Sequence, residues 1–227
     1  MSSNLGEDFP DLIEAMKLSA AALREAGVPV LLGGGLACWA RGGPPTDHDV
    51  DFFVRERDAA AALETLADAG MRTERPPEGW LYKAWHGETL IDLIFHPAGG
   101  PVTDEHFARA SQLEVMAQPL LVASLGDVLA TKLLALSEQK PDFGQVLEMA
   151  RSLREQIDWE FVRQRVGETP FGAAFFTLVE RLGIHPETSE EVDGHPHTRR
   201  VSRSSAEPTV SRASHLTRPS RPSAAST

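Results

Sequence analysis

Hydrophobic and polar positions along the chain follow two different periods, and the change between them separates helices from strands. Apolar residues recur at helical spacing in "DLIEAMKLSAAALREAG", which ends at Gly27, and in "RDAAAALETLADAG", which ends at Gly70. "GLACWA" predicts a short helix between them. Segments predicted as strands are "VPVLLGG", "DVDFFV", "MRTER", "WLYKAW" and "TLIDLIF", and a tight turn at "HGE" separates the last two. We therefore expect helices and strands to alternate before several consecutive strands.

From Ser124 onward the pattern is helical. "SLGDVLATKLLALSEQ" begins with Ser124 and has Asp127 three residues later, which is close to a capping box. "FGQVLEMARSLREQ", "DWEFVRQRVG" and "PFGAAFFTLVERLG" keep the helical spacing, and "QLEVMAQPLLVAS" before them predicts an edge strand or a hairpin. The order predicts an α+β fold. Residues 1–122 would form a mixed sheet flanked by helices, residues 123–185 a C-terminal helical segment, and residues 186–227 a tail.

The charge of the chain is unevenly distributed. The 227 residues have a net charge of −11, but the part from residue 194 onward contains six arginines and one acid. Residues 1–193 therefore hold 16 basic and 32 acidic residues, a net charge of −16. A body this acidic is a poor match for a long polyanion, although a small nucleotide that brings its own divalent ions is not excluded.

The tail over residues 186–227 is rich in Ser, Thr, Pro and Arg and has almost no apolar residues. This composition predicts disorder. The arginines leave two interpretations open, a solvated extension and a contact with RNA.

The number of cysteines and the hydropathy of the sequence indicate the cellular compartment. Cys38 is the single cysteine, which rules out an internal disulfide and favours the cytosol. "MSSNLGEDFPDLIEAM" has no basic region followed by an apolar one, so no signal peptide is predicted. No run of about 18 apolar residues predicts a membrane span. We expect a soluble cytoplasmic protein without a membrane partner.

Three glycines and three aspartates lie on or next to predicted strands. A strand runs into Gly33–Gly35, with a helix directly after, and Asp49 and Asp51 open a later strand. Side chains two apart in an extended chain point to the same face, so these carboxylates repel each other unless a cation lies between them. Glycines let the backbone approach phosphate, and carboxylate oxygens suit Mg²⁺. Asp92, in "LIDLIF", could complete a two-metal site and take the proton from an attacking hydroxyl.

The stretch "GGGLACWARGGPPTDHDVDFF" followed by "LIDLIF" resembles the nucleotidyltransferase superfamily. The pattern of that superfamily is a glycine pair, a short helix, Asp-apolar-Asp and a third acid on a later strand. The superfamily is similar to the palm of DNA polymerase β and includes antibiotic nucleotidyltransferases and AbiEii-type toxins. "LATKLLALSEQKPDF" resembles the lysine-bearing helix of the toxin-like branch.

The resemblance implies transfer of a nucleoside monophosphate from an NTP to an acceptor hydroxyl, with release of pyrophosphate. The acceptor would be an RNA or tRNA 3′ end, a small molecule or a protein, and a toxin-like member would have an antitoxin partner. Two Mg²⁺ ions, or Mn²⁺, would assist. The residues implied are Asp49, Asp51 and Asp92 as catalytic metal ligands and Gly34, Gly35 and Lys132 as nucleotide-binding residues.

The match to individual branches is incomplete. Toxin-like members commonly place Arg-x-Thr-x-Asp at the acidic pair, whereas here Pro45 stands near the expected Arg and Thr46 comes three residues before Asp49. Antibiotic-modifying members often have a His two residues before the first acid, and His48 comes immediately before it. The sequence therefore does not choose an acceptor.

Several of these features have a second interpretation. The glycines could form only a flexible loop, and "DVD" could be a solvated strand edge or part of a calcium loop, although Phe52 stands where an EF-hand needs glycine. Asp92 could pair with Lys83 or Arg72. Lys132 could be a solvated lysine instead of a ligand of the triphosphate.

The side chains beside the motif also allow more than one interpretation. His48 could orient a ligating carboxylate or be an exposed turn residue, and Asp47 suits a turn. Trp80 and Tyr82 share a strand face that Trp85 does not, and all three favour core or rim packing over stacking on a base or sugar. For the whole chain the alternative is a non-catalytic nucleotide-binding or interaction module on the same fold, or a structural α+β domain with coincidental acids.

Overall fold

The computed structural model describes residues 8–46 and 49–184. The predictions for Asp47, for His48 and for the tail lie outside these residues. In chain order the elements are α1 (Phe9–Glu25), β1 (Val30–Leu32), α2 (Gly34–Trp39), β2 (Val50–Val54), α3 (Glu56–Asp68), β3 (Arg72–Glu74), β4 (Leu81–His86), β5 (Thr89–Ile94), α4 (Asp104–Arg109), β6 (Ser111–Val115), β7 (Gln118–Val122), α5 (Leu125–Leu134), α6 (Gly144–Leu153), α7 (Trp159–Val166) and α8 (Pro170–Arg181).

The seven strands of the described part form one mixed sheet in the order β3-β4-β5-β2-β1-β7-β6. β2 is parallel to β5 and antiparallel to β1, and β1 is parallel to β7. The pairs β3–β4, β4–β5 and β6–β7 are antiparallel. The segment "QLEVMAQPLLVAS" therefore forms a hairpin, with β7 inside the sheet and β6 at its edge.

Helices cover both faces of the central strands. Phe52 and Phe53 point to opposite faces of β2 and are both buried, and the same holds for Leu93 and Ile94 of β5. α1 and α3 pack against each other and against β2 and β5, whereas α2 packs against β2 and α5. Burial on both faces explains why these strands have nearly continuous apolar sequences. The predicted α+β class, a mixed sheet flanked by helices, is confirmed.

A two-residue turn joins β4 to β5. Gly87 and Glu88 separate His86 from its partner Thr89, and Gly87 has a φ of +59°. Glycine adopts this left-handed conformation without a steric penalty, which suits the first position of a tight hairpin turn. The turn sets the register of the whole hairpin.

The C-terminal helices assemble around α5, which contacts α2, α6, α7 and α8. The Ser124 hydroxyl accepts a hydrogen bond from the Asp127 amide at 3.0 Å, so the predicted cap is present. The Arg109 guanidinium donates to both oxygens of the buried Asp127 carboxylate, at 3.0 and 2.8 Å, and ties α4 to α5. The sheet ends at Val122, just before α5. The division into domains at residue 122 stays a prediction.

Two details differ from the sequence-based expectation. α5 ends at Leu134, not near Gln139, because Ser137 and Lys140 pair with each other and turn the chain before Pro141. α4 was not predicted at all, because none of its six residues is buried and it has no apolar period. Across the described residues, no helix is both long and apolar enough to cross a membrane.

Candidate active site

Two neighbouring strands bring the three predicted acids together. Asp49 immediately precedes β2, Asp51 lies within β2, and Asp92 lies within β5. Asp51 and Asp92 are partners in the parallel register, so their side chains leave the same face at the same height. One carboxylate oxygen of each of the three acids lies within 4.8 Å of the others. The acids therefore form a single cluster.

Asp92 also makes the ion pair that was its alternative interpretation. Lys83 of β4 lies opposite Asp92 in the antiparallel register, and Lys83 Nζ donates to Asp92 Oδ1 at 3.1 Å. Arg72, the other suggested partner, lies over the Trp85 ring instead, 3.6 Å from its centroid. Asp92 thus belongs both to an ion pair and to the acid cluster, and the two interpretations are not exclusive.

The electrostatics of the cluster favour a bound cation or a proton. Burial, and after it the charges of Asp49 and Asp92, raise the pKa of Asp51 to about 7, against the opposing effect of Lys132 and Lys83. A carboxylate in this position is costly to ionise without a positive charge beside it. The cluster is therefore suited to hold positive charge.

The pKa of Asp92 is also raised, and Lys83 opposes the rise. Burial raises the pKa of Asp92, while the hydrogen bond and the charge of Lys83 lower it and Asp49 raises it. Only 10% of the Asp92 side chain is exposed, against 29% of that of Lys83. The ammonium group therefore favours the ionised carboxylate, the form that can accept a proton from another molecule.

The glycines before α2 leave room for side chains of the cluster. Gly34 has a φ of +53°, and a Cβ on it would collide with Asp51 Oδ2. A Cβ on Gly35 would collide with Thr46 Oγ1. Neither position therefore accepts a side chain without moving its neighbour. The assignment of Gly34 and Gly35 to phosphate binding stays a prediction, and the structure adds this second reason for glycine.

Two cavities meet at the acids. The larger has a volume of about 840 Å³, and the smaller about 230 Å³. Both are lined by Asp49, Asp51, Lys132 and Gln145. The larger also has Asp92 and an apolar wall that includes Phe53, Trp80, Ile94, Val128 and Ala135. The smaller adds Gly35, Pro44, Pro45, Thr46 and Glu148. A ligand in either cavity would touch the cluster.

Lys132 of α5 faces this junction. Lys132 Nζ is 3.4 Å from Gln145 Oε1, and both residues line both cavities. The structure therefore places Lys132 with the acids, although its role in nucleotide binding stays a prediction. Gln145 was missed, because a single polar residue at the start of α6 gives no sequence signal of its own.

The three aromatic residues near the motif, Trp80, Tyr82 and Trp85, have different surroundings. Trp80 is 42% exposed and lines the larger cavity. Tyr82 packs edge-on against Phe95. Of the three predicted rim or core residues, Trp80 is the one placed to touch a ligand.

The single cysteine is a poor nucleophile in this setting. Cys38 lines the smaller cavity, but its Sγ donates to the carbonyl oxygen of Gly34 at 3.4 Å, and burial raises its pKa to about 11. The thiol therefore stays protonated near neutral pH.

Comparison with known proteins gives a match in structure but not in sequence. No protein-family model matches the chain, and no curated protein does. The solution structure of the antibiotic-resistance factor ANT(2″)-Ia has a TM-score of 0.53 at 16% identity, over 78% of this chain and 96% of that one. The crystal structure of ANT(2″)-Ia in complex with adenylyl-2″-tobramycin has a TM-score of 0.52 at 15% identity, over 73% and 97%.

At such low identity the likeness bears on architecture alone. It covers nearly the whole of each antibiotic nucleotidyltransferase structure and most of this chain. The resemblance first noted in the glycine and aspartate motifs is thereby confirmed at the level of the fold, and the chain has a nucleotidyltransferase-like fold.

Proposed function

We propose that the protein is a metal-dependent nucleotidyltransferase. It would transfer a nucleoside monophosphate from an NTP to an acceptor hydroxyl and release pyrophosphate. The observation that carries this proposal is the convergence of Asp49, Asp51 and Asp92 at the junction of two cavities. The nucleotidyltransferase-like fold supports it, since the same architecture is shared with an enzyme described with an adenylylated antibiotic.

The donor set fits a hard divalent cation. Three carboxylates offer oxygen ligands within 4.8 Å of one another, and Mg²⁺ and Mn²⁺ prefer oxygen. Asp49 and Asp51 would hold the metal, and Asp92 lies beside them. When bound, the metal would neutralise phosphate charge and stabilise the charge that develops during transfer. The cation would also relieve the repulsion that raises the pKa of Asp51.

The side chains of this protein would position both reactants. Lys132 would contact the phosphates as a point charge from α5. Gly34 and Gly35 would let the backbone approach the phosphates closely. Asp92, whose ionised form the Lys83 ammonium favours, would accept the proton of the attacking hydroxyl. Catalysis would then come mainly from positioning and charge neutralisation.

The cavities favour a small acceptor. The larger one has a volume of about 840 Å³ and an apolar wall beyond the acids, which suits a compound of ordinary small-molecule size. The net charge of −16 over residues 1–193 counts against a large RNA footprint. A small hydroxyl compound is therefore the acceptor we propose first, with a tRNA 3′ end, as in a toxin-like role, as the second.

Incubation with labelled NTPs and Mg²⁺ tests the proposal. The acceptors would be an aminoglycoside, a lincosamide, tRNA and the protein itself. We expect a labelled product and pyrophosphate from at least one combination. Asp49→Asn should abolish both, whereas Asp68→Asn, the same change at the end of α3 and outside both cavities, should preserve them. Mg²⁺-dependent NTP binding without any product would instead support the non-catalytic nucleotide-binding module.

A further inference from the structure

The positive charges around the acid cluster are arranged asymmetrically. Three carboxylates meet at the junction of the cavities, and two ammonium groups lie beside them. Lys83 bonds directly to Asp92 at 3.1 Å, whereas Lys132 is bonded to Gln145 at 3.4 Å. One acid of the three is therefore already neutralised by a neighbouring side chain.

The other two acids have no such partner. Among the residues that the structure describes, neither Asp49 nor Asp51 forms an ion pair, and the Lys132 ammonium that lines the same cavities is bonded to Gln145. All three carboxylates are within reach of one another, but only Asp92 has an ammonium group bonded to it. Asp49 and Asp51 are therefore the two acids whose charges a bound cation would be the first to compensate.

The backbone fixes Lys83 in its place. Lys83 lies opposite Asp92 in a hairpin whose register runs from Leu81–Ile94 to His86–Thr89 without a break. Its side chain is 29% exposed, so much of its length is packed. A divalent ion bound to Asp92 would have to displace this ammonium or lie beside it at a repulsive cost.

We propose that the Lys83 ammonium takes the place of a second metal ion at Asp92. Before an NTP binds, the cleft would then hold one divalent ion, on Asp49 and Asp51. This inference rests on the proposed function for the identity of the site. Lys83 is a positioning residue: it holds one oxygen of Asp92 and keeps the carboxylate free of metal, so that Asp92 can meet the acceptor hydroxyl.

The direction of the change in Mn²⁺ affinity distinguishes this role from that of a residue that only orients a metal ligand. Removing a residue that only orients a metal ligand weakens metal binding, by about 10–100-fold. Removing a cation that competes with the metal should strengthen it. We therefore expect Lys83→Met to tighten Mn²⁺ binding by about tenfold, the loss of one strong charge repulsion. Lys83→Arg, which keeps the charge, should bind Mn²⁺ as the wild type does.

The experiment is a calorimetric titration of the full chain with Mn²⁺ alone, without nucleotide. Wild-type protein should bind one ion, and Asp49→Asn should lose it. Thermal unfolding in metal-free buffer checks that each variant is folded, and Lys83→Gln, a neutral hydrogen-bond donor, replaces Lys83→Met if the latter does not fold. Unchanged or weaker Mn²⁺ binding in the neutral variants, or two ions in the wild type, would overturn the inference. Neither of these two results decides whether the protein transfers nucleotides, because the product-formation assay tests that separately.

Discussion

Gly34 leaves open the space that the Asp51 carboxylate occupies, since a Cβ on Gly34 would collide with Asp51 Oδ2. We expect Gly34→Ala to displace the carboxylate and to lower both Mn²⁺ affinity and turnover by at least about tenfold. Its φ of +53° adds backbone strain of about 1 kcal/mol or more. Calorimetry, turnover and thermal unfolding would measure the three effects.

Gly27→Ala is the matched control for that substitution. Gly27 also has a left-handed φ, +69°, but a Cβ there meets no atom within 4 Å. It should share the loss of stability and keep Mn²⁺ binding. Equal loss of Mn²⁺ binding in both variants would mean that strain, and not the contact with Asp51, is responsible.

Asp51→Asn should separate stability from activity. The carboxylate is held among other acids at a cost that burial increases, so its neutral analogue should unfold at the same or a slightly higher temperature in metal-free buffer. Mg²⁺ should stabilise the wild type and not the variant, and turnover should disappear. Thermal unfolding with and without Mg²⁺, alongside turnover, checks this. Normal turnover in Asp51→Asn would refute the metal assignment.

Asp92→Asn should affect the chemical step more than NTP binding. If Asp92 accepts the hydroxyl proton, its amide analogue should lower kcat by about 10²–10⁴-fold, the usual contribution of a positioned general base. Single-turnover kinetics at saturating NTP would measure the chemical step, and equilibrium binding would measure NTP affinity. If Asp92 served only its ion pair with Lys83, the chemistry would stay near the wild-type rate.

His106 should make the free energy of unfolding depend on pH. Its Nδ1 accepts a hydrogen bond from the Thr103 amide at 3.1 Å, and burial lowers its pKa although Asp127 opposes the shift. The unfolded chain therefore takes up a proton at higher pH than the folded protein does. The stabilisation is present above about pH 6.5 and is lost as the pH falls through the folded pKa.

Chemical denaturation between pH 5 and pH 8 tests the His106 prediction. Asp51, whose pKa is raised to about 7, titrates in the same range, so the comparison is made in Asp51→Asn protein, where adding His106→Asn should flatten the pH dependence of the free energy of unfolding. An unchanged slope on adding His106→Asn would show that other groups dominate this range.

Much of the site could be predicted because its signals are local. Asp49 and Asp51 lie two residues apart on one strand, and that spacing alone places them on one face. Asp51 and Asp92 are 41 residues apart in the chain, and they lie side by side because β2 and β5 pair in a parallel register. The order of the motifs suggested that Asp92 could join the pair and the resemblance to a known family supported it, but the periodicity of the strands did not fix this register.

The remainder of the site depends on contacts that leave no pattern in the sequence. Lys83 was named as one of two partners for Asp92, and only the hairpin register chooses it over Arg72. Gln145 joins Lys132 from another helix, and Thr46 fills the space left by Gly35. Such contacts are fixed by tertiary packing, which a one-dimensional pattern of apolar positions does not record.

The turn at Gly87 and Glu88 constrains how this chain can change in length. A strand that slips by one residue turns every side chain to the opposite face. One residue inserted into or deleted from the turn would therefore move Lys83 out of line with Asp92, even with every acid retained. We expect related chains with the same chemistry to vary in the sequence of this turn but not in its number of residues, while the segment between β3 and Trp80 can vary in length.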